Sequence, residues 1–372
     1  MSPQQLYIGL MSGTSADAID AVVVDLSSRP QLVAKHSVEL PENLRQKIHA
    51  ISLPGDNEID RMGMLDVELG ALFAQASLEL LNNNNLVAKQ IIAIGSHGQT
   101  IRHRPPGSSE GTFTLQIGDP NQIAELTGIT TVADFRRRDM AAEGQGAPLV
   151  PAFHRAIFQS QNKARAIVNI GGMANITWLP TTGTVIGFDT GPGNVLMDSW
   201  ISDHLGKAYD QDGAWAAGGT INPQLLKELL AEPYFKLPAP KSTGRESFNR
   251  IWLNEKLNNQ ASSLEPREVQ ATLLELTAIT IAESINNLNR EPKDVFICGG
   301  GAYNSALMAR LQTLLPKDTL ASTSVLGVDP KWIEAMAFAW LAQQTMNHKP
   351  GNLCAVTGAK REVILGGIYL AG

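Results

Sequence analysis

Apolar residues recur along this chain with two alternating periods, one typical of buried strands and one typical of helices. The segments LYIGL, AIDAVVVDL and QLVAKHSVEL are rich in apolar and β-branched residues and predict three strands. The segment EIDRMGMLDVELGALFAQASLELL has apolar positions at helical spacing, and IIAIGSHGQT predicts a short buried strand that runs into a polar turn. The first part of the chain therefore predicts strands, a helix and a further strand.

The same pattern starts again in the second half. RAIVNIGGMANITWL and TVIGFDTGPGN predict strands with glycines at their ends, and VLMDSWISDHLG predicts a helix that stops at Gly206. A long helix is predicted over 266–288, and in DPKWIEAMAFAWLAQQ we expect Asp329 as N-cap and Pro330 as the first helical residue. This alternation predicts an α/β fold, with two related lobes and a ligand beyond the carboxyl ends of the strands.

Composition and charge exclude several classes of protein. The chain has 372 residues, more than one hydrophobic core ordinarily supports, so we expect two domains. The formal net charge is -6 and no basic cluster exceeds Arg136–Arg138, so we expect no nucleic-acid partner. The two cysteines, Cys298 and Cys354, do not have the spacing in sequence that is typical of metal ligands. Because neither a signal segment nor an apolar run near the ~20 residues of a membrane span is visible, we expect a cytoplasmic protein without a membrane partner.

Three glycine-rich loops each follow an apolar strand: MSGTS at 11–15, NIGGMAN at 169–175 and CGGGAYN at 298–304. Glycine permits sharp turns and close approach of a ligand, and successive backbone N–H groups form an anion site. Each loop alone could be a simple hairpin turn. Their recurrence in both halves favours nucleotide binding, although neither the P-loop nor the dinucleotide-binding pattern is present.

Two acidic residues are candidates for chemistry. Asp189 ends a predicted strand among glycines, where it could act as a general base or simply form an Asx turn or cap the next helix. Glu334 lies in the first turn of the last long helix, a place where the helix dipole favours an acid whatever its function. The residues alone leave these alternatives open.

The whole chain resembles the anhydro-N-acetylmuramic acid kinases, which belong to the sugar kinase, heat-shock ATPase and actin group. The segments that carry the resemblance are GLMSGTSADAID, GSHGQTIRH, QIGDPNQIAELTGITTVADFRRRD, GQGAPLVP, NIGGMANIT, GFDTGPGNVLMD, EPYFKLPAPKSTGRESFN, EVQATLLELTA, CGGGAYN, WIEAMAFAWLA and PGNLCAVTGA. They run from one end of the sequence to the other, and many are long and unusual.

The resemblance implies a two-lobed, actin-like (ribonuclease H-like) fold with a nucleotide cleft between the lobes. We place the N-terminal lobe at residues 1–143 with 350–372, and the C-terminal lobe at 144–349. The implied cofactors are ATP and Mg²⁺, and the implied assembly is a homodimer. In the implied reaction, water opens the 1,6-anhydro ring of 1,6-anhydro-N-acetylmuramic acid and O6 takes the γ-phosphoryl group, giving N-acetylmuramate 6-phosphate and ADP in peptidoglycan recycling.

The resemblance also favours roles for particular residues. Asp189 becomes the base that activates water, and Glu334 a second carboxylate near the anomeric carbon. The predicted nucleotide contacts are Gly13, Thr14, Ser15, Ala16, Asp17, Ala18, Ile19, Asp20, Gly171, Gly172, Gly299, Gly300, Gly301 and Asn304. Asp17 and Asp20 are also candidate Mg²⁺ ligands, although the metal is expected to bind largely through phosphates.

The predicted sugar contacts are Gln99, Thr100, Asp134, Arg136, Gly191 and Asn194. A guanidinium suits the lactyl carboxylate of the sugar, but some arginines of FRRRD could equally belong to a solvated turn. For His97 we expect a buried, hydrogen-bonded side chain rather than a lone general base.

The first loop departs from the family pattern at two positions. Ala16 replaces a large apolar residue and Ala18 replaces a glycine, and because alanine tolerates a positive φ poorly we expect a local difference of backbone at Ala18. Two other functions remain as alternatives, an ATP-driven conformational protein and a sugar-sensing regulator. The regulator is disfavoured because no basic helix-turn-helix segment is visible.

Overall fold

The computed structural model describes residues 4–13, 15–108, 111–239, 241–244, 247–260, 263–288 and 293–372. Packing divides the chain into two compact units, Met1–Ile157 with Trp332–Gly372, and Phe158–Lys331. These bounds differ from the lobe bounds expected from the sequence, 143 and 350. The reason is that the helix Ile333–Met346 packs directly on strands near the N-terminus, so it belongs with the first unit.

The first unit contains a six-stranded sheet and a separate two-stranded hairpin. The sheet order is β13-β7-β4-β1-β2-β3, and β5 pairs with β6. Strands β1, β4 and β7 are parallel, whereas β2, β3 and β13 join antiparallel. The strands are β1 (Leu6–Ser12), β2 (Ala18–Asp25), β3 (Gln31–Glu39), β4 (Ile91–Ser96), β5 (Gln99–Arg104), β6 (Phe113–Ile117), β7 (Thr131–Ala133) and β13 (Gly367–Tyr369).

The helices of the first unit cover this sheet. They are α1 (Glu42–Ile51), α2 (Glu58–Asn83), α3 (Pro120–Thr127), α4 (Phe135–Ala141), α5 (Val150–Phe158), α12 (Ile333–Met346) and α13 (Cys354–Thr357). Helix α12 lies on β1 and β4 at two glycines. A Cβ on Gly9 would overlap the backbone of Ala335, and a Cβ on Gly95 would overlap that of Phe338. Bare backbone at these two positions lets the helix approach the sheet closely.

The second unit has one five-stranded sheet, in the order β10-β9-β8-β11-β12. Its strands are β8 (Arg165–Ile170), β9 (Met173–Leu179), β10 (Ile186–Pro192), β11 (Asp294–Cys298) and β12 (Thr319–Ser322). Its helices are α6 (Val195–Leu205), α7 (Ala214–Ala217), α8 (Pro223–Leu230), α9 (Arg250–Asn258), α10 (Pro266–Leu288) and α11 (Ser305–Leu314).

The two sheets share one topology. In each, three consecutive antiparallel strands form a meander, and its first strand pairs in parallel with a later strand: β1 with β4, and β8 with β11. A further parallel strand follows, β7 in one sheet and β12 in the other. The predicted α/β fold made of two related units is therefore confirmed, as expected of the actin-like group.

Each unit has its own apolar core. One cluster centres on β1, β2 and α2, and the other on β8, β11 and α10. Most of α12 is buried. None of the helices in the described part of the chain is long and apolar enough to cross a membrane.

The prediction for the start of α12 is wrong. The helix begins at Ile333 with Trp332 at the N-cap position, and Asp329 lies before it. The Asp329 carboxylate instead accepts hydrogen bonds from the backbone N–H of Lys331, at 3.1 Å, and from the hydroxyl of Tyr303, at 2.9 Å. Glu334 remains in the first turn of the helix.

Candidate active site

The first glycine loop is the turn between β1 and β2. The N–H of Ala16 donates to the carbonyl of Gly13 at 3.0 Å, which closes the turn. Ala16 is fully buried and has a φ of 54°, so the strained position of the loop is Ala16 rather than Ala18, where we expected a local difference of backbone. Ala18 instead begins β2, paired with Glu39. Thr14 lies outside the described residues.

The side chain of Gln99 forms hydrogen bonds with two residues of this loop. Its side-chain carbonyl accepts a hydrogen bond from the hydroxyl of Ser12 at 2.7 Å, and its amide donates to the carbonyl of Gly13 at 3.2 Å. The side chain is 1% exposed. Gln99 was predicted from the sequence to contact the sugar. In the structure, its side-chain amide group forms hydrogen bonds with the loop that we expect to bind phosphate.

The other predicted residues of this loop have different surroundings. The side chain of Ile19 is completely buried in the core of the sheet. The Asp20 carboxylate accepts from the hydroxyl of Ser37 at 2.7 Å, and the exposed Asp17 carboxylate lies 3.5 Å from the guanidinium of Arg45. Among the described residues, no three His, Cys, Asp or Glu side chains form a group that could hold a metal ion. These two aspartates therefore do not form a closed metal site.

In the second unit, the predicted loops meet at one edge of the sheet. Strands β8 and β11 are parallel, with Asn169 opposite Cys298, so Gly171 and Gly299 follow at the same strand ends. The carbonyl of Gly171 accepts from the N–H of Asn194 at 2.8 Å. A Cβ on Gly300 would lie 3.6 Å from the amide nitrogen of Asn194. The structure thus brings both glycine loops and Asn194 together.

Two hydrogen bonds explain the local roles of asparagines in this cluster. The Asn194 amide donates to the carbonyl of Ile170 at 3.2 Å, and Asn194 occupies the N-cap position of α6. The Asn304 side chain accepts from the N–H of Leu307 at 3.0 Å and caps α11. Gly172 joins the cluster because its carbonyl accepts from the N–H of Gly193 at 2.8 Å.

Asp189 lies in β10 at an irregularity of the pairing with β9, between Asp189 and Gly191. It is held at three different atoms. Its N–H donates to the carbonyl of Lys241 at 3.0 Å, its carbonyl accepts from the hydroxyl of Tyr234 at 2.8 Å, and its Oδ2 accepts from the N–H of Thr243 at 3.0 Å. Because Asn194 occupies the N-cap position of α6, Asp189 does not cap that helix.

Tyr234, Lys241 and Thr243 were not among the residues predicted from the sequence. Burial and the nearby Asp189 charge both raise the pKa of Tyr234, so its hydroxyl remains a donor. Burial lowers the pKa of Lys241, while the Asp189 charge opposes that shift. The available signal was the segment EPYFKLPAPKSTGRESFN, which carries part of the family resemblance but does not by itself point to Asp189.

In the first unit, His97 and Arg136 form a buried pair. His97 Nδ1 lies 2.8 Å from the carbonyl of Gly98, so Nδ1 carries the proton and Nε2 accepts from two nitrogens of Arg136, at 3.1 and 2.8 Å. Burial and the adjacent guanidinium lower the pKa of His97 to about 3. His97 is thus a neutral acceptor, in agreement with the expected buried histidine.

The Arg136 guanidinium is fixed at its other end by the carbonyl of Gly146, at 2.9 Å. Burial lowers the pKa of Arg136 to about 10, while the charges of Glu334 and Asp139 oppose that shift. The ring of His97 packs 4.7 Å from that of Phe338, one helical turn after Glu334 on α12. Arg136 and Glu334, both predicted site residues, therefore belong to one cluster of the first unit.

The remaining predicted sugar contacts are divided between the two units. Asp134 has a φ of 60° at the start of α4, and its carboxylate lies 3.4 Å from Arg137. Burial raises the pKa of Asp134. The hydroxyl of Thr100 accepts from the amide of Gln116 at 3.2 Å. In the second unit, Gly191 has a φ of 143°, and a Cβ there would lie 2.6 Å from the ring of Phe235.

Comparisons with known proteins place this chain among close relatives. Residues 5–371 match a family model described as anhydro-N-acetylmuramic acid kinase. A protein of that name from Saccharophagus degradans is 54% identical over 366 residues, which cover 98% of each chain. Another, from Shewanella amazonensis, is 54% identical over 370 residues, which cover 99% of each chain.

Solved structures give more distant likenesses. The activator of the 2-hydroxyisocaproyl-CoA dehydratase from Clostridium difficile, with bound ADPNP, has a TM-score of 0.46 and 10% identity, over 92% of this chain and 97% of that one. A ROK family glucokinase from Streptomyces griseus, in complex with glucose and AMPPNP, has a TM-score of 0.40 and 12% identity, over 91% of this chain and 99% of that one.

Proposed function

We propose that this chain, which belongs to the anhydro-N-acetylmuramic acid kinase family, uses ATP to phosphorylate 1,6-anhydro-N-acetylmuramic acid while water opens the anhydro ring. The family match and the relatives described above confirm the family and the kinase activity that the resemblance implied. In the finer reaction that we propose, the oxygen of water bonds to the anomeric carbon, the bond from that carbon to O6 breaks, and O6 attacks the γ-phosphorus as ADP leaves. The product is N-acetylmuramate 6-phosphate.

The observation that carries this proposal is the fixed position of Asp189. A base that activates water must hold its carboxylate in one orientation, and hydrogen bonds to its N–H, carbonyl and Oδ2 restrain Asp189 in this way. We therefore propose that Asp189 takes the proton of the attacking water, a role that typically contributes about 10²–10⁴ to a rate.

We propose that Glu334 is the second carboxylate of the reaction. It is half-buried in the first turn of α12, in the cluster that contains the Arg136 guanidinium. A carboxylate in this position suits the stabilisation of positive charge at an anomeric carbon. The guanidinium of Arg136 already binds His97 and the carbonyl of Gly146. We therefore expect its main acidic partner to be Glu334, and the lactyl carboxylate of the sugar to be only a secondary one.

ATP is the phosphoryl donor of this kinase, and we propose that the glycine loops bind it. Gly13 and Ser15 lie in the turn after β1, and Gly171 and Gly299 follow the equivalent strand ends of the second unit. When Mg²⁺ is bound, it neutralises charge on the phosphates. Because Asp17 lies near Arg45, Asp20 is the better candidate for a single carboxylate ligand, with phosphates and water as the other ligands.

We also propose that the protein acts as a homodimer in the cytoplasm, where ATP is available. The assembly is tested by light scattering at several protein concentrations, and a mass of one chain at all of them would contradict it.

One assay tests the reaction. The protein is incubated with Mg·ATP and 1,6-anhydro-N-acetylmuramic acid, and we expect sugar-dependent ADP and a reducing 6-phosphorylated sugar. In ¹⁸O-water, the label should appear in the C1 hydroxyl. Label found only in inorganic phosphate would mean simple ATP hydrolysis, as expected of an ATP-driven conformational protein.

The role of Asp189 is tested by Asp189→Asn. We expect turnover to fall by about 10³ or more while ATP binding is retained. Asp56→Asn, in an exposed turn, is the matched control and should turn over like the wild type. Near-normal turnover of Asp189→Asn would remove Asp189 as the base.

A further inference from the structure

One segment of the second unit surrounds Asp189 and makes all three of the hydrogen bonds described above. We call it the clasp and define it by Tyr234, Phe235, Lys241 and Thr243. It contacts the backbone of Asp189 on both sides, through the Tyr234 hydroxyl and the Lys241 carbonyl. It also binds the carboxylate directly, through the Thr243 N–H. The position of Asp189 therefore depends on the conformation of the clasp.

The clasp is itself closed by the side chain of Lys241. The ammonium donates to the carbonyl of Tyr234 at 3.1 Å and to the carbonyl of Phe235 at 3.2 Å. It also lies over the ring of Tyr234, 4.7 Å from its centroid. These contacts join the two ends of the clasp, so that Thr243 is held at a fixed distance from Tyr234.

Aromatic packing fixes the other end of the clasp to the core. The ring of Phe235 stacks on that of Phe248, with centroids 5.5 Å apart and planes 18° apart. Phe248 is 1% exposed. Tyr234 meets the same ring edge-on, at 5.7 Å. This end is anchored by apolar burial, whereas the end that carries Thr243 depends on polar contacts, above all those of Lys241.

We infer that Lys241 is a positioning residue for Asp189, acting through the clasp that its ammonium closes. Its ammonium closes the clasp, the closed clasp presents the Thr243 N–H to Oδ2, and this bond sets the orientation of the carboxylate toward water. The inference rests on the proposed role of Asp189 as base. Since Lys241 touches neither reacting atom nor nucleotide in this account, its loss should affect turnover and leave ATP binding in place.

The test compares three single variants. Lys241→Met keeps the length of the side chain and removes the charge and donors, and we expect kcat to fall by about 10–100-fold, as for a displacement of catalytic groups by up to 1 Å. The KM for ATP should stay within threefold. Lys241→Arg keeps the charge and donors and should recover most of the kcat. Lys236→Met removes an exposed lysine of the same segment and should behave like the wild type.

A double variant separates action through Asp189 from a general effect. If Lys241 acts through that carboxylate, Asp189→Asn with Lys241→Met should be no slower than Asp189→Asn alone. Additive losses would overturn the inference, as would a Lys241→Met enzyme with at least half of the wild-type kcat. An equal loss in Lys241→Arg would overturn it as well. Circular dichroism and thermal unfolding check that each variant folds, and Lys241→Gln replaces Lys241→Met if the latter does not.

A measurement without substrate decides the clasp even if the proposed reaction fails. We expect hydrogen exchange of the Thr243 amide, followed by NMR, to accelerate at least tenfold in Lys241→Met and to remain unchanged in Lys236→Met. Unchanged exchange in Lys241→Met would show that Lys241 does not close the clasp. Absence of sugar-dependent ADP with the wild-type protein would instead refute the proposed function, a result that the exchange measurement does not affect.

Discussion

Replacement of Gly9 by alanine tests how closely α12 rests on the sheet. A Cβ at position 9 would overlap the carbonyl oxygen of Ala335 and lie only 2.8 Å from the nitrogen of Ala339. Ordinary contacts of a methyl carbon are ~3.5–4 Å, so the helix or the strand must move by roughly 1.5 Å. The clashing atoms belong to the backbone of a helix, and they cannot rotate away as a side chain would.

The expected cost follows from this geometry. Overpacking of a core typically costs about 1–3 kcal/mol, and we expect Gly9→Ala to lie at or slightly above the upper end, at about 3 kcal/mol, because the neighbours are rigid. Glu334 directly precedes Ala335, so a shifted helix also displaces this proposed catalytic carboxylate. A displacement of about 1 Å can cost on the order of 10² in rate, and we expect kcat to fall at least tenfold.

The matched control is the same substitution in open space. A Cβ on Gly63, within α2, would have no neighbour within 4 Å, and Gly63→Ala should stabilise the helix by about 0.5–1 kcal/mol. Urea unfolding followed by tryptophan fluorescence measures both changes, and the ADP assay measures turnover. A Gly9→Ala protein within about 0.5 kcal/mol of the wild type would refute the close seating of α12.

Three further predictions concern polar contacts of the first unit. Gln99→Leu removes the hydrogen bond that the Gln99 amide donates to the Gly13 carbonyl. A loss of about 1.4 kcal/mol should raise the KM for ATP about tenfold. A rise only in the KM for the sugar would instead favour a direct contact between Gln99 and the sugar. Asp139 is completely buried and accepts hydrogen bonds at 2.8 Å from Gly146 N, Asn352 Nδ2 and Thr357 Oγ1. Asp139→Asn should lower the free energy of unfolding, measured in urea, by about 2–4 kcal/mol. An unchanged unfolding midpoint would contradict this expectation. Burial lowers the pKa of His154 from 6.5 to about 3, so the unfolded chain binds the extra proton and stability falls as the pH decreases from 6.5 toward 3. His154→Gln should therefore remove about 2 kcal/mol of the loss measured between pH 7 and pH 5, and an identical pH dependence would count against it.

The fold was largely predictable because its signals are local. Each strand that begins a meander is an apolar run followed by glycines, as in β1 with the turn at Gly13 and β8 with the turn at Gly171. Turn residues and periodicity lie within a few positions of each other, so the sequence contains the whole pattern. The end of α6 at Gly206 was predicted in the same way and is confirmed, since Gly206 takes the left-handed C-cap conformation.

Prediction from short sequence segments was wrong where a residue distant in the sequence contacts the residue concerned. Asp329 followed by Pro330 has the form of a helix start, yet the Asp329 carboxylate binds the Tyr303 hydroxyl, and the helix begins four residues later, at Ile333. Likewise, we expected the unusual backbone of the first loop at Ala18, where alanine replaces a glycine. Strand pairing with Glu39 gives Ala18 an extended backbone, and the positive φ falls on Ala16. In both cases a tertiary contact overrode the preference of a short segment.

The two proposed catalytic carboxylates differ in the kind of support that the chain provides, and this difference has consequences for variants. Glu334 depends on a helix that is packed on the strands at Gly9 and Gly95, so a change at its support should reduce stability and turnover together. Asp189 depends on Thr243 and Lys241, which lie about fifty residues further along the chain and form polar contacts near the surface. Because burial contributes most of the folding free energy, a change at Lys241 should reduce turnover with a much smaller loss of stability. The ratio of lost turnover to lost stability should therefore be larger for Lys241→Met than for Gly9→Ala. Equal ratios would mean that the clasp acts as part of the core and not as a positioning device.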